Sequence, residues 1–600
     1  MNEEPKSIWK KSFTGRLALV VWLAVAFLTT MLGCFIIALT NHDSSVFGSF
    51  MSWGMFAGVL LVACLLFIYV VLPLARLLFW KHWRRTLFGL ACFATLIALF
   101  YAEENWRSKC AWNQFKKKWE AQGETFDFGR LIPSAVPDEQ NFALTPVIAS
   151  CYETYFDRDG HEVKPRNTNI VDRLSMMTWR DENYKREKPA ESIGWQAGGK
   201  MDLKIWQSYF RSPPPTNSLF TNSFPVAPQP QTPPDDVLLA LSKFDSVIEE
   251  IRQASQLPYS RFPLTYEADY KFGILLPHLA ALNSCALALR LRAVAELQTS
   301  RTDSACADTR LGLSLVNSLR TEPFMISQLV RLAILDVTLQ PVWEGLADHR
   351  WSATQLAALD AELAKLDLLA DCQQAQKTEI GFIANEIIYL RNHLDFDAMF
   401  KGIGFNQSQS VKNEFRVHRL APGGWFFKSA MRNCSVLMNY LPAVDTNART
   451  ISPSVVRRAD EFTVANARVF DPVNSLNKMF NNGDSDWKSK GNFLKKFAAG
   501  HSSVNLARTA IALERYRLAH GDFPESLDAL APQFIAQVPH DVIGGAALKY
   551  RREQDGTFKL YSIGWNEKDD GGVVVFSKGE TPSADFKQGD WVWRYPAKGN

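Results

Sequence analysis

Leu17–Thr40 (LALVVWLAVAFLTTMLGCFIIALT) runs for 24 residues without a charge. A second charge-free run covers Ser44–Ala75, and a shorter third covers Thr86–Ala102. About 20 apolar residues cross a bilayer as a helix, because only intrahelical pairing satisfies backbone groups in hydrocarbon. The pattern predicts three transmembrane helices, over about residues 17–40, 53–75 and 86–102, and a large body from Glu103 onward. These spans hold no ionisable residue of the kind that marks a transport pathway, so residues 1–102 read as an anchor.

Flanking charges orient the anchor. Lys6, Lys10, Lys11 and Arg16 precede the first run, Asn41–Ser52 carries no Lys or Arg, and Arg76, Lys81, Arg84 and Arg85 lie between the second and third runs. Short loops rich in Lys and Arg stay cytoplasmic. The expected protein is a multipass protein of the bacterial inner membrane, with a cytoplasmic N-terminus and a periplasmic body. A cleaved signal peptide is disfavoured, because the first run is long, others follow it, and no small-x-small site ends it.

Aromatic residues prefer the membrane–water interface, which makes Trp80 and Trp83 an inner belt and Tyr101 and Trp106 an outer one. Trp112, Phe115 and Trp119 share a helical face beside Lys109, Lys116, Lys117 and Lys118. Two alternatives stand for that helix. Either Trp112 and Trp119 lie against headgroups, or the helix packs on its own domain.

The whole chain has 600 residues with 66 basic and 62 acidic side chains, so no global basic field points to nucleic acid as a partner. A mean hydropathy of −0.12 places most of the chain outside lipid. None of the nine cysteines forms a CxxC, and none pairs with a histidine at zinc spacing. Cys285 and Cys306 are placed to face each other across a helical hairpin, a candidate disulfide.

Residues 103–211 read as a juxtamembrane helix followed by an irregular stretch, Gln122–Lys200, broken by Pro133, Pro137 and Pro146. Ser212–Pro234 contains eight prolines, which disfavours helix and sheet and suits an extended spacer or a strap over the surface. From 235 to 480 the text is helical. Leu279, Leu282, Ala286, Leu289 and Ala293 step by three and four onto one face. Helices are expected over about Asp236–Ser255, Leu275–Gln298, Asp303–Arg320, Phe324–Leu346, Ser352–Leu366 and Leu368–Leu394, with Ser352 and Gln355 as a capping box. Asp395–Phe480 is less regular, with one further helix over Trp425–Tyr440. The fold class is mainly α: three membrane helices, a helical bundle or short solenoid, and a small α+β module over 481–600, set off by the polar junction Asn481–Gly491.

The segment LLPHLAALNSCALALRLRAVAELQ with ADTRLGLSLVNSLRTEP resembles a tetratricopeptide-like hairpin, which implies a groove for a peptide or partner helix. The same leucines also suit a plain bundle core. In the terminal module, a helix over Ser503–His520 carries Tyr516 and is followed by Gly521-Asp522-Phe523-Pro524, Leu527, Leu530 and Pro539-His540-Asp541. Strands are expected over Leu548–Arg552, Phe558–Ile563 and Asp590–Tyr595, the first two joined through Asp555-Gly556. With Tyr550, Tyr561-Ser562-Ile563-Gly564 and the loop that follows, this run resembles the globular domain of the major pseudopilin of bacterial type II secretion. The resemblance implies a pilin-like α+β fold and a calcium loop, whose ligands here would be Asn566, Asp569 and Asp570. Trp565-Asn566 stands where that family has an Ala-Asp-like pair, and no prepilin cleavage site is recognisable, which predicts a borrowed fold rather than a pilus subunit.

No Walker loop, GxGxxG, HExxH or GxSxG occurs, and His278 reads as a core or capping histidine. The expectation is a membrane-anchored envelope scaffold with a protein or peptide partner on its helical body, the bilayer being its other partner. The alternative is a membrane-anchored extracytoplasmic enzyme, such as a hydrolase, with its cleft between the helical body and residues 122–200.

Overall fold

The computed structural model describes residues 72–152, 155–156, 162–163, 194–212, 224–264, 266, 274–392, 421–467, 487–577 and 584–594. The chain divides into two compact units, Met1–Ala102 and Glu103–Asn600. The stretches 103–211, 212–234, 235–480 and 481–600 thus belong to one unit. The described residues are mainly helical, as the periodicity implies.

Helix α1, Leu72–Glu120, is far longer than the expected third span. It absorbs the stretch with Arg76, Lys81, Arg84 and Arg85 that the sequence assigns to a loop. Lys and Arg are good helix formers, and charge alone does not stop a helix. The expected spans over 17–40 and most of 53–75 lie outside the described residues. Three spans are therefore not shown. Among the described residues two helices are long and apolar enough to cross a membrane, Leu87–Glu120 and Met325–Ala347. They differ in surroundings. Leu87, Phe88, Leu90, Phe93, Leu96, Ile97, Leu99 and Phe100 are all exposed, around the whole circumference of the helix, whereas Leu335, Leu339, Val342, Trp343 and Leu346 of Met325–Ala347 are buried in the body's core.

In the second unit, the α1 residues from Glu103 pack on the body. Trp112 is buried against Phe115 and Phe126, and Glu104 receives Lys428 and Arg107. Gly424 opens helix α10 (Gly424–Met438) where a Cβ would meet the Glu104 carbonyl at 2.4 Å. Only glycine permits that approach, and the Gly424 N–H donates to Asn105 Oδ1 across it.

The expected 236–255 helix is two helices, α3 (Pro233–Leu241) and α4 (Asp245–Ala254), preceded by α2 (Leu203–Arg211). The described part of the proline-rich stretch is a strap. Phe224 packs on Phe210 and Phe244, and Arg211 donates to the Ala227 carbonyl. Then come α5 (Pro277–Gln298), α6 (Thr302–Ser318), α7 (Met325–Ala347), α8 (Ala353–Leu363) and α9 (Leu368–Asn392), close to the expected bounds. The five residues stepped along α5 are all buried, and both bonds of the Ser352/Gln355 capping box form. Short turns make α5–α6–α7 an antiparallel stack.

The less regular region holds a helix the sequence missed, α11 (Pro453–Ala467). The junction expected over 481–491 is helical from Trp487. Helix α12 runs Trp487–His520, twice the expected length, and lies among α7, α8, α9 and α11. Strands β1 (Lys549–Arg552), β2 (Phe558–Ser562) and β5 (Trp591–Trp593) form an antiparallel sheet in the order β1-β2-β5 beside α12, and β3 (Val574–Phe576) pairs with β4 (Ala584–Gly589). Tyr550 donates to the Pro524 carbonyl at 2.6 Å and Phe523 meets Phe558 edge-on, so the Gly-Asp-Phe-Pro motif is pinned to the hairpin. One core runs from Trp112 to Trp593.

Helix α7 ties the ends of the body together. Its Gln340 accepts from the Trp195 N–H at 2.8 Å and donates to the Gly199 carbonyl at 2.9 Å. Its Glu344 accepts from the Met201 N–H at 3.0 Å, and Trp343 donates to the Arg594 carbonyl at 2.6 Å. Burial pushes the Glu344 carboxyl up to about 7.

Candidate binding cleft

The cleft begins with a side chain that zips two irregular segments. Asn141 Nδ2 donates to the Arg261 carbonyl at 2.8 Å, while its Oδ1 accepts from the Arg261 N–H at 2.8 Å and the Ala143 N–H at 3.2 Å. Phe142 N–H adds a bond to the Tyr259 carbonyl at 2.8 Å. Prolines leave residues 131–137 short of ladder donors, so the segment is held from outside. Arg261 Nε donates to the Pro133 carbonyl at 3.0 Å.

Beneath these segments lies the turn between α6 and α7, Leu319–Pro323. The buried Gln328 amide donates to the carbonyls of Leu319, Arg320 and Glu322 and so holds the turn after α6. Arg331, 1% exposed, donates to the Val316 carbonyl at 2.8 Å and to Asp371 of α9 at 2.7 Å. Desolvation lowers the Arg331 pKa, and the facing Asp371 opposes this. Arg320 meets the other Asp371 oxygen at 3.3 Å.

Residues 130–136, the Ser255–Arg261 segment, the end of α6 with its turn, and the start of α9 thus enclose a cleft of about 580 Å³. Its lining is mixed: Arg130, Arg261 and Arg320, the amides of Asn317 and Gln374, several hydroxyls, and Leu131, Ile132 and Leu257. A larger hollow of about 1070 Å³ beside Glu553–Lys559 is more open and has no comparable buried polar floor.

Glu322 lines the cleft, and behind it stands a buried polar array. Ser327 Oγ donates to Glu322 Oε2 at 2.7 Å, and His278 Nε2 faces Oε1 at 3.5 Å. Tyr152 Oη lies 2.5 Å from His278 Nδ1, and Phe262 stacks on the imidazole at 4.0 Å. With the tyrosine hydroxyl donating, the imidazole proton sits on Nε2, toward Glu322. Burial raises the Tyr152 pKa, and the Glu322 charge adds to it, so the phenol stays a donor. Among the described residues, Glu322 Oε1 and Ser260 Oγ, both buried, have no hydrogen-bond partner. Glu322 Oε1 instead faces the imidazole, so the array is a buried polar wall behind the cleft.

The residues singled out from sequence lie elsewhere. Asn566 Nδ2 donates to Asp570 at 2.7 Å, and Asp569 accepts from Tyr561 at 2.9 Å and the Gly571 N–H at 3.1 Å. Those bonds and Lys549 hold the Asp569 carboxyl below its usual range. Asp590 accepts from the N–H groups of Asp570 and Gly572. The loop is thus cross-linked by its own donors, and among the described residues no three His, Cys, Asp or Glu side chains converge as a metal set.

Trp80 and Trp83 lie on α1 with side chains outside the described part, Trp106 is 71% exposed, and Tyr101 is half-buried. Trp112 is in the core and Trp119 packs on it, so the domain-packing alternative describes that face. The described cysteines are thiols, including Cys285 and Cys306. Burial pushes the Cys285 thiol up to about 12, and α5 meets Ser150–Tyr152. His278 is a core histidine, as expected, but one wired to a cleft residue. No residue spacing announced Glu322, His278 and Tyr152, which span 171 positions.

Comparison with known protein families, with curated proteins and with solved structures finds no match for this chain.

Proposed function

We propose that this protein is a membrane-anchored scaffold of the bacterial envelope, whose body from Glu103 onward binds a protein or peptide partner outside the cytoplasm. The carrying observation is the mixed polar and apolar cleft, backed by the buried Glu322, Ser327 and His278 and built from segments far apart in sequence. The exposed apolar band Leu87–Phe100 supports the anchor, since a helix apolar all round belongs in a core or in lipid. The Lys and Arg distribution supports the orientation.

A photo-crosslinking residue at Asn317, in native membranes, is expected to give discrete adducts that the same residue at exposed Lys365 does not. Identical patterns from both positions would refute a binding cleft. A topology reporter after Asp445 is expected to be active only on the periplasmic side, and cytoplasmic activity overturns the orientation.

The second reading, an extracytoplasmic hydrolase, is favoured by the Tyr152–His278–Glu322 array, because a carboxylate backed by an imidazole is suited to moving a proton. The cleft lies where residues 130–136 meet the helical body. Glu322→Gln separates the readings: a binder keeps its Asn317 adducts, whereas an enzyme accumulates its uncleaved substrate there.

A further inference from the structure

We propose that the cleft takes a short peptide by its free C-terminal carboxylate. The inference rests on the reading of the body as a scaffold and names what is bound. Three guanidiniums line the cleft; two are tethered at Nε, Arg261 by the Pro133 carbonyl at 3.0 Å and Arg320 by Asp371 at 3.3 Å, while Arg130 is on the surface beside Asp127. Among the described residues no protein acceptor takes their Nη groups. A guanidinium held at Nε keeps its end-on Nη1/Nη2 pair in a fixed direction, and that fork matches a carboxylate in a way an ammonium does not.

The remaining groups suit a peptide more than a small inorganic anion. Asp371 is shared between Arg320 and the buried Arg331, so a single carboxylate faces two guanidiniums there. Ser134, Ser260, Ser314 and Thr321 also line the cleft, and a hydroxyl can serve either peptide group. Asn317 and Gln374 offer amide pairs for a backbone, and Leu131 and Ile132 give side chains an apolar wall. A cleft of about 580 Å³ holds a few residues, not a helix or a folded surface.

The test uses the full chain in detergent and two fluorescein-labelled randomised hexapeptide pools, one ending in a free carboxylate and one amidated, read by fluorescence anisotropy. The free-acid pool is expected to bind at least about tenfold tighter, the factor that corresponds to 1.4 kcal/mol. Arg261→Lys is expected to remove that preference. Arg130→Ala, at an exposed side chain whose loss leaves the fold intact, is expected to reduce the preference about threefold or more. Equal affinity for the two pools overturns the carboxylate clamp yet leaves the body a peptide binder. Binding of neither pool also overturns it, and the Asn317 adducts then decide separately whether the cleft holds any partner.

Discussion

Glu344 makes the stability of the body's N-terminal loop depend on pH in a direction opposite to that of an ordinary paired carboxylate. Burial raises its pKa from 4.5 to about 7, against the bonds from Gln340 and Met201 that favour the ion. Well below pH 4.5 the group is protonated whether the loop is closed or open. As pH rises, the open state ionises first, so closure loses stability until the buried carboxyl ionises in turn near pH 7. A difference of about 2.5 in pKa at 1.36 kcal/mol per pH unit sets the loss at about 3.4 kcal/mol, about three-hundredfold in protection. Glu344→Gln keeps an acceptor for the Met201 N–H and the Gln340 amide and has no charge to bury. Hydrogen exchange of the peptide spanning Trp195–Leu203, corrected for intrinsic rates, measures loop opening directly. At pH 8 the variant is expected to be more protected than the wild type by up to about three-hundredfold, and at pH 3.5 the two should agree. Glu296, whose carboxyl burial and Asp308 raise to about 8, acts in the same direction in both proteins and so drops out of the comparison. A wild-type-to-variant ratio that stays constant from pH 3.5 to 8 would refute the reasoning.

Other residues give independent checks. Gly345→Ala would put a Cβ 2.1 Å from Nε1 of the buried Trp351, and overpacking of this kind costs about 1–3 kcal/mol, read as a lower thermal midpoint. Asn141→Ala removes three hydrogen bonds that zip the cleft segments; faster proteolysis within 131–137 is expected, with the α5–α6 hairpin as resistant as before. Burial lowers the His501 pKa from 6.5 to about 3, so its stabilisation is complete above pH 6.5 and declines as pH falls toward 3. His501→Phe should therefore flatten the acid limb of the unfolding curve, and an unchanged limb would show that another group titrates there.

Local sequence determined much of this protein. The alternation along Leu279–Ala293 selects a helix and its inner face, and Ser352 with Gln355 starts α8, because capping and amphipathicity involve neighbours within one or two turns. The apolar run at Leu87–Phe100 likewise declares a helix with no need of polar partners. Tertiary structure decided what contacts at long range decide. A helical period cannot say that α12 begins at Trp487 rather than Ser503, because its early turns are stabilised by packing among other helices. Nor can it say that Trp112 turns inward, or that Cys285 lies toward Cys151. The cleft is the extreme case. Asn141 meets Arg261, and Tyr152 meets His278 and Glu322, only when the body closes, so its chemistry has no motif and is written in the fold.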